Sequence, residues 1–189
     1  MNIVLKKNFI DRINKNRIIK EIYKSHKNYY NCFSINKKIK FKIINYFLLK
    51  KDADISNYYV IYYNKKIAGF CSFYNHLQYN NKMMSNLKFA LKFIKKRNIK
   101  YVHNNLKKFN NQFPRYKLLK NYVYLSRILV FKSFQNKGIG KYVMHKIFKN
   151  KKLILHVISS NNKAIKFYKK LGSKVINNHH KYFLLKISF

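Results

Sequence analysis

Two glycines, Gly138 and Gly140, lie in the segment Gln135–Gly140, between an apolar run and a helical pattern. The chain has only four glycines, so a pair within three residues indicates a backbone that requires glycine and tolerates no Cβ. Successive backbone N–H groups that lead into a helix N-terminus bind phosphate oxygens. Lys137 and Lys141 add positive charge beside them. The segment is a candidate phosphate site, and an ordinary strand-to-helix turn is the alternative reading of the same pattern.

A second group of residues, Val157–Gly172, begins about seventeen positions after the first group ends. Asn161 is a suitable N-cap for a helix that starts at Asn162, and Gly172 is a suitable helix terminator. Ala164 and Tyr168 are four residues apart, so they share one face of that helix. A tyrosine on this face is either a core aromatic residue or a proton donor.

In their order and strand context, these two motifs resemble those of the GNAT N-acetyltransferase superfamily. The first matches its Gln/Arg-x-x-Gly-x-Gly/Ala loop, and the second matches its Asn-x-x-Ala-x-x-x-Tyr-x-x-x-Gly helix. The strand that leads into the first motif, residues 124–130, also fits, and the likeness is clear over residues 122–175. Ser173 departs from the family pattern, which usually has an aromatic residue there.

The resemblance implies acetyl-CoA as the cosubstrate and a primary amine as the acceptor, with direct attack in a ternary complex; the amine belongs to a small molecule or to a protein. Tyr168 would act as general acid towards the departing CoA thiolate. The backbone of Ile128, Leu129 and Val130 would pair with the pantetheine arm, and Asn161 would approach the donor nearby. The expected cofactor-binding set is Ile128, Leu129, Val130, Gln135, Asn136, Lys137, Gly138, Ile139, Gly140, Lys141, Asn161 and Ala164, and no metal is expected.

The general base is the open point of the chemistry. An ammonium group must lose a proton before it attacks, and the sequence has no Asp or Glu after Asp54. His156, on a predicted strand beside the site, is the nearest candidate, and a neutral packed histidine is the alternative. His103 and a water relay are further candidates. His179 and His180 are interpreted as turn residues.

The pattern of apolar residues predicts the elements that must position these groups. In chain order they are helical spacing over residues 3–24 and 37–49, a β-hairpin over 58–74, an amphipathic helix over 82–97, a helix fragment and loop over 98–120, a strand over 122–131, a helix over 141–148, a strand over 153–158, a helix over 163–171 and a strand over 182–187.

The fold expected from these elements is a mixed α/β (α+β) domain over residues 1–189, of the GNAT type. The resemblance implies a mostly antiparallel sheet whose two central parallel strands splay apart, flanked by helices. Residues 75–121 are expected to be a helical insertion that covers the acceptor side.

The charge is extreme: 43 Lys and Arg residues face 4 Asp and Glu residues, for a net charge of +39. Such a balance is typical of a nucleic-acid or membrane binder. Drift in an AT-rich genome explains the abundance of Lys, Asn and Ile, but not the shortage of acids. Together with the missing carboxylate base and the basic stretch over residues 82–120, this charge makes a decayed GNAT-type module that binds RNA or the ribosome the alternative function.

The two cysteines have neither metal-ligand nor disulfide spacing, and Cys71 lies in an apolar run. The N-terminus lacks the features of a secretory signal, and the apolar runs are too short to span a bilayer. We expect a cytoplasmic protein without a membrane span, as a monomer or homodimer.

Overall fold

The computed structural model describes residues 2–7, 12–49, 57–79, 90–114 and 116–189. Its strands are β1 (Ile3–Lys7), β2 (Tyr58–Tyr63), β3 (Lys66–Tyr74), β4 (Tyr122–Val130), β5 (Lys152–Ile158), β6 (Lys174–His179) and β7 (Tyr182–Ser188). Its helices are α1 (Arg12–Ser25), α2 (Lys27–Asn31), α3 (Lys37–Leu49), α4 (Ile99–Asn110), α5 (Ile139–Phe148) and α6 (Asn162–Lys169), with 3₁₀ turns at Lys96–Asn98 and Lys132–Phe134.

The strands form a seven-stranded sheet in the order β1-β2-β3-β4-β5-β7-β6. Neighbouring strands are antiparallel except for the central pair, where β4 and β5 run parallel. A parallel pair requires a crossover connection, and α5 supplies it between these two strands. The predicted mixed, mostly antiparallel sheet is confirmed.

Apolar side chains cover both faces of the sheet. On one face, α1 and α3 pack residues such as Ile18 and Ile44 against Val60 and Phe70. On the other face, α5 packs Val143 against Leu155 and its neighbours. Burying one such side chain fully stabilises the fold by roughly 1.5–3 kcal/mol, so both helical layers are held to the sheet mainly by apolar contact. None of the helices in the described ranges is long and apolar enough to cross a membrane.

The helical prediction for residues 3–7 and the turn interpretation of His179 are wrong, and one strand near the C-terminus was missed. Residues Ile3–Lys7 form an edge strand that pairs with β2, not the start of a helix. Ile3 and Leu5 point towards the core and so show the two-residue period of a strand. This period is too short to recognise in the sequence, because two lysines follow it directly. The strand Lys174–His179 was not predicted, because all six residues are exposed and only its pairing with β7 defines it. His179 therefore ends a strand, whereas His180 lies in the predicted turn.

The middle of the chain follows the predictions more closely. The hairpin over 58–74 and the helix over 37–49 are confirmed. Of the predicted helix over 82–97, residues 82–89 lie outside the described part, residues 90–91 are helical, and residues 92–97 are not α-helical. The helix fragment and loop over 98–120 are confirmed by α4 and the irregular segment that follows it.

Gly69 permits the close approach of β3 to β4. A Cβ at this position would overlap the backbone carbonyl oxygen of Leu129, in the ladder where Gly69 pairs with Val130. Because the obstacle is backbone in a paired strand, a side chain here can be accommodated only if the two strands move apart.

We expect Gly69→Ala to lower the free energy of unfolding by about 1–3 kcal/mol, as overpacking does elsewhere, and urea denaturation measures the change. Ser72→Ala on the same strand is the matched control. The Ser72 hydroxyl is buried with no hydrogen-bond partner among the described residues, so its loss should leave stability unchanged or raised. Equal urea midpoints for Gly69→Ala and the wild type would contradict this account.

Candidate active site

A cleft opens where β4 and β5 diverge. The two strands pair only through Tyr122–Tyr124 and Lys152–Ile154. Beyond these residues β4 stays paired with β3 as far as Val130, while β5 stays paired with β7 as far as Ile158. The expected splay of the parallel strands is thus confirmed. The cleft has a volume of about 720 Å³, and Ile128, Leu129 and Val157 are among its lining residues.

A β-bulge in β4 decides which side chains lie on the same face of the sheet as Tyr124. Ser72 pairs with Arg127 and Phe73 pairs with Leu125, so Ser126 is an extra residue on β4. An extra residue reverses the alternation of side chains beyond it. Arg127 consequently lies on the face of Tyr124, although simple alternation would place it on the opposite one.

The glycine segment forms the N-terminus of α5. Gly138 is its N-cap with φ of 71°, no side chain caps this helix end, and its first turn contains no acid. The four first N–H groups of a helix lack intrahelical partners, so these amides are available to an anion. Asn136 also has a positive φ, of 61°.

The sequence argument was that neither Gly138 nor Gly140 tolerates a Cβ; in the structure, the two positions require glycine for two different reasons. A Cβ on Gly138 would meet nothing within 4 Å, so the requirement there is the positive φ and not a steric limit. A Cβ on Gly140 would lie 3.2 Å from the Phe167 ring of α6, so this glycine permits close packing of α5 on α6. Ile139 between them is buried, while Lys137 and Lys141 are exposed.

The Gln135 side chain forms a hydrogen bond within the protein. Its side-chain amide donates a hydrogen bond to the Val130 carbonyl at 2.9 Å. The bond ties the loop before α5 to the end of β4, and it engages one backbone group, the Val130 carbonyl, of the segment expected to pair with the pantetheine arm. Ile128 and Leu129 line the cleft.

Helix α6 brings the second motif to the cleft. The Asn161 side chain caps the helix by accepting a hydrogen bond from the Ala164 amide at 3.1 Å, as predicted. At the other end, Gly172 has φ of 77° and the Ser173 amide bonds back to the Tyr168 carbonyl. Asn161, Ala164 and Tyr168 all line the cleft.

Tyr168 is a buried phenol, only 7% exposed. Burial raises its pKa well above the usual tyrosine value, and Cys71 makes a smaller contribution in the same direction. The hydroxyl therefore keeps its proton at neutral pH and is available as a donor.

His156 lies on β5 with both ring nitrogens engaged. Nε2 lies 3.0 Å from the Pro114 carbonyl oxygen, which can only accept, so Nε2 carries the proton. Nδ1 is then the acceptor for the Tyr124 hydroxyl, also at 3.0 Å. Burial lowers the pKa of His156, and the bond to Pro114 offsets part of that effect, so the ring is neutral at neutral pH.

Sequence reasoning missed Tyr124 as part of the site. Its contact with His156 depends on register: Tyr124 pairs with Ile154, two residues before His156 on β5, and residues two apart share a face. His103, the other histidine considered, is exposed on α4 and is not among the residues that line the cleft.

Sequence reasoning also missed a basic region on the side of the cleft formed by α1 and α2, called here the N-terminal side. Arg127 is a buried side chain there, and Lys24, His26 and Lys27 come from the junction of α1 and α2. Pro114 and Tyr116 after α4 line the cleft as well, so the segment between β3 and β4 contributes to its wall. Among the described residues, no group of three or more His, Cys, Asp or Glu side chains is arranged to hold a metal.

Comparisons with known proteins agree with the fold described above. The model of the Acetyltransferase (GNAT) family matches residues 19–173. An N-acetyltransferase from Staphylococcus aureus Mu50 superposes with a TM-score of 0.62 at 16% identity, over 97% of this chain and 100% of that one. The PaiA N-acetyltransferase from Thermoplasma acidophilum, solved with coenzyme A, gives a TM-score of 0.53 at 17% identity, over all of both chains.

A third similar structure is the Campylobacter jejuni N-acetyltransferase PseH in complex with acetyl coenzyme A, with a TM-score of 0.55 at 15% identity over 99% of each chain. No curated protein sequence matches. At these identities the solved structures establish a shared fold. Because the family model matches most of its residues, the chain belongs to the Acetyltransferase (GNAT) family.

Proposed function

We propose that this protein transfers an acetyl group from acetyl-CoA to a primary amine that is bound at the same time in the cleft between β4 and β5. One observation carries the proposal: a buried, protonated Tyr168 and the neutral Tyr124–His156 pair line the same cleft. Coenzyme A and acetyl-CoA in the solved PaiA and PseH structures support the choice of donor.

The residues present fit the donor. The uncapped N-terminus of α5 offers backbone N–H groups to its pyrophosphate, and Lys137 and Lys141 add charge. The strand edge at Ile128 and Leu129 faces the cleft for the pantetheine arm, beside Asn161 and Ala164. When bound, acetyl-CoA supplies the acetyl group as a thioester.

Tyr124 and His156 remove the proton of the amine in this proposal. Neutral Nδ1 of His156 accepts the Tyr124 hydroxyl proton, while the Tyr124 oxygen accepts a proton from the incoming amine. The pair replaces the carboxylate base, since none of the described residues that line the cleft is acidic.

Tyr168 completes the proton balance for an amine that enters the cleft neutral, after its ammonium proton has gone to solvent. As the new bond from nitrogen to the carbonyl carbon forms and the carbon–sulfur bond breaks, Tyr168 donates its proton to the sulfur. Burial keeps the phenol protonated at neutral pH before the reaction, so its proton is in place when the thiolate forms. After the products leave, His156 returns its extra proton to solvent and Tyr168 regains one from solvent.

Gly138→Ala and Gly138→Asn together test the phosphate site. Alanine pays about 1–2 kcal/mol in the left-handed conformation, whereas asparagine tolerates it better, so we expect Gly138→Ala to unfold at lower temperature than Gly138→Asn. We expect both to bind acetyl-CoA at least tenfold more weakly by calorimetry, because a side chain then projects from the anion-binding turn. Unchanged affinity in both variants would exclude this turn as the phosphate site.

The pH dependence of kcat tests the base. Because the pKa of His156 is lowered, the neutral, active form persists as pH falls to the ordinary histidine value of about 6.5. We expect kcat to stay level there and to decline only at lower pH. His156→Gln should reduce kcat by roughly 100-fold or more and remove that acid limb. His103→Gln, an exposed histidine, is the matched control, and an equal loss in both variants would contradict the assignment.

Tyr168→Phe tests the acid, since it removes only the hydroxyl group. We expect kcat to fall by roughly 100-fold or more, with the affinity for acetyl-CoA nearly unchanged. Wild-type kcat in this variant, measured by release of free CoA, would rule out the proton donor.

A further inference from the structure

The N-terminal side of the cleft is positively charged. Lys24 and Lys27 from the α1–α2 junction and Arg127 from β4 all line it, and none of the described lining residues is acidic. Glu21 alone of the four acidic side chains lies in a described range, and it pairs with Lys24 at 2.7 Å. Lys27 is exposed on the cleft side of α2.

Arg127 is the buried cation of this region, at 7% exposure. Its Nε donates to His26 Nδ1 at 3.3 Å, and one terminal nitrogen donates to the Ser126 hydroxyl at 3.1 Å. Burial lowers the pKa of His26, and the charge of Arg127 lowers it further, so His26 is neutral. The acceptors of both bonds are neutral, and the two bonds orient the guanidinium.

The bulge at Ser126 places this cation on the face of Tyr124, along the same strand. Arg127 lies three positions after Tyr124, a distance of up to roughly 10 Å at about 3.3 Å per residue. Aromatic rings, including Tyr74 and Phe109, line the same cleft. A guanidinium has five donors in a planar fork that matches a carboxylate or phosphate.

We propose that the acceptor is a small primary amine that carries an oxyanion, a carboxylate or a phosphate, several bonds away from its amino group. Arg127 binds the oxyanion, Lys27 adds attraction at the edge of the cleft, and the amine reaches Tyr124. This inference rests on the proposed acetyl transfer. It predicts that a polyamine is a poor acceptor, because the second cation of a polyamine would lie close to the positive charge of Arg127.

Matched amines test the proposal. The kcat/KM for acetylation is compared between O-phosphoethanolamine and ethanolamine, and between 4-aminobutyrate and butylamine, at physiological salt. We expect the anionic member of at least one pair to be preferred at least tenfold, and the pair with the larger ratio distinguishes phosphate from carboxylate.

Four variants test which residues cause the preference for anionic amines. Arg127→Gln should reduce it to about onefold to twofold, and Arg127→Lys should retain part of it. Lys27→Gln should reduce it severalfold, whereas Lys20→Gln, an exposed position on α1 outside the cleft lining, lowers net charge equally and should leave it unchanged. Acetyl-CoA affinity and thermal unfolding report whether each variant is folded; should Arg127→Gln fail to fold, the Lys27 and Lys20 pair still decides the result.

The outcomes separate the two proposals. Acetylation of neutral amines at rates equal to the anionic ones would overturn this inference and leave acetyl transfer intact. The same holds if Lys27→Gln and Lys20→Gln change the preference equally. No acetylation of any amine, despite bound acetyl-CoA, would reject the proposed function as well.

Discussion

The divergence of β4 from β5 after Tyr124 is the constraint on which the site depends. Each strand keeps its outer partner, so the gap between them cannot close by pairing. The backbone at Ile128 and Leu129 thereby reaches the cleft while it stays in a rigid sheet. Gly69 makes that rigidity possible, because β3 approaches Leu129 more closely than any side chain would allow.

The two helices beside the gap, α5 and α6, differ at their N-termini. The N-terminus of α5 is uncapped, whereas the N-terminus of α6 is capped by Asn161. An uncapped end with exposed lysines suits an external anion, and a capped end holds Tyr168 in fixed position. The close contact between Gly140 and Phe167 holds one helix against the other, so the proposed anion site and the proposed proton donor keep a constant separation.

The sequence predicted the residues whose roles are local. Asn161 as a cap, Gly172 as a terminator and Gly138 at a helix start follow from backbone conformation, which neighbouring residues decide. The residues that depend on long-range register were missed. Tyr124 meets His156 through the β4–β5 ladder, and Arg127 changes face because of one extra residue opposite β3, which no periodicity in β4 reveals. β6 was missed for a related reason, because a fully exposed edge strand has no apolar alternation.

The net charge of +39 makes one measurement decisive for the central claim, that the cleft and the α5 N-terminus form an acetyl-CoA site. Calorimetric titration of the wild-type protein with acetyl-CoA, and with ATP as a polyanion of similar charge, would be carried out at low and at high salt. Specific contacts with the pantetheine arm and acetyl group predict acetyl-CoA binding that survives raised salt while ATP binding fades, because screening weakens nonspecific attraction. Binding of both ligands that fades in parallel would contradict the account and would direct attention to the basic surface as an RNA-binding face.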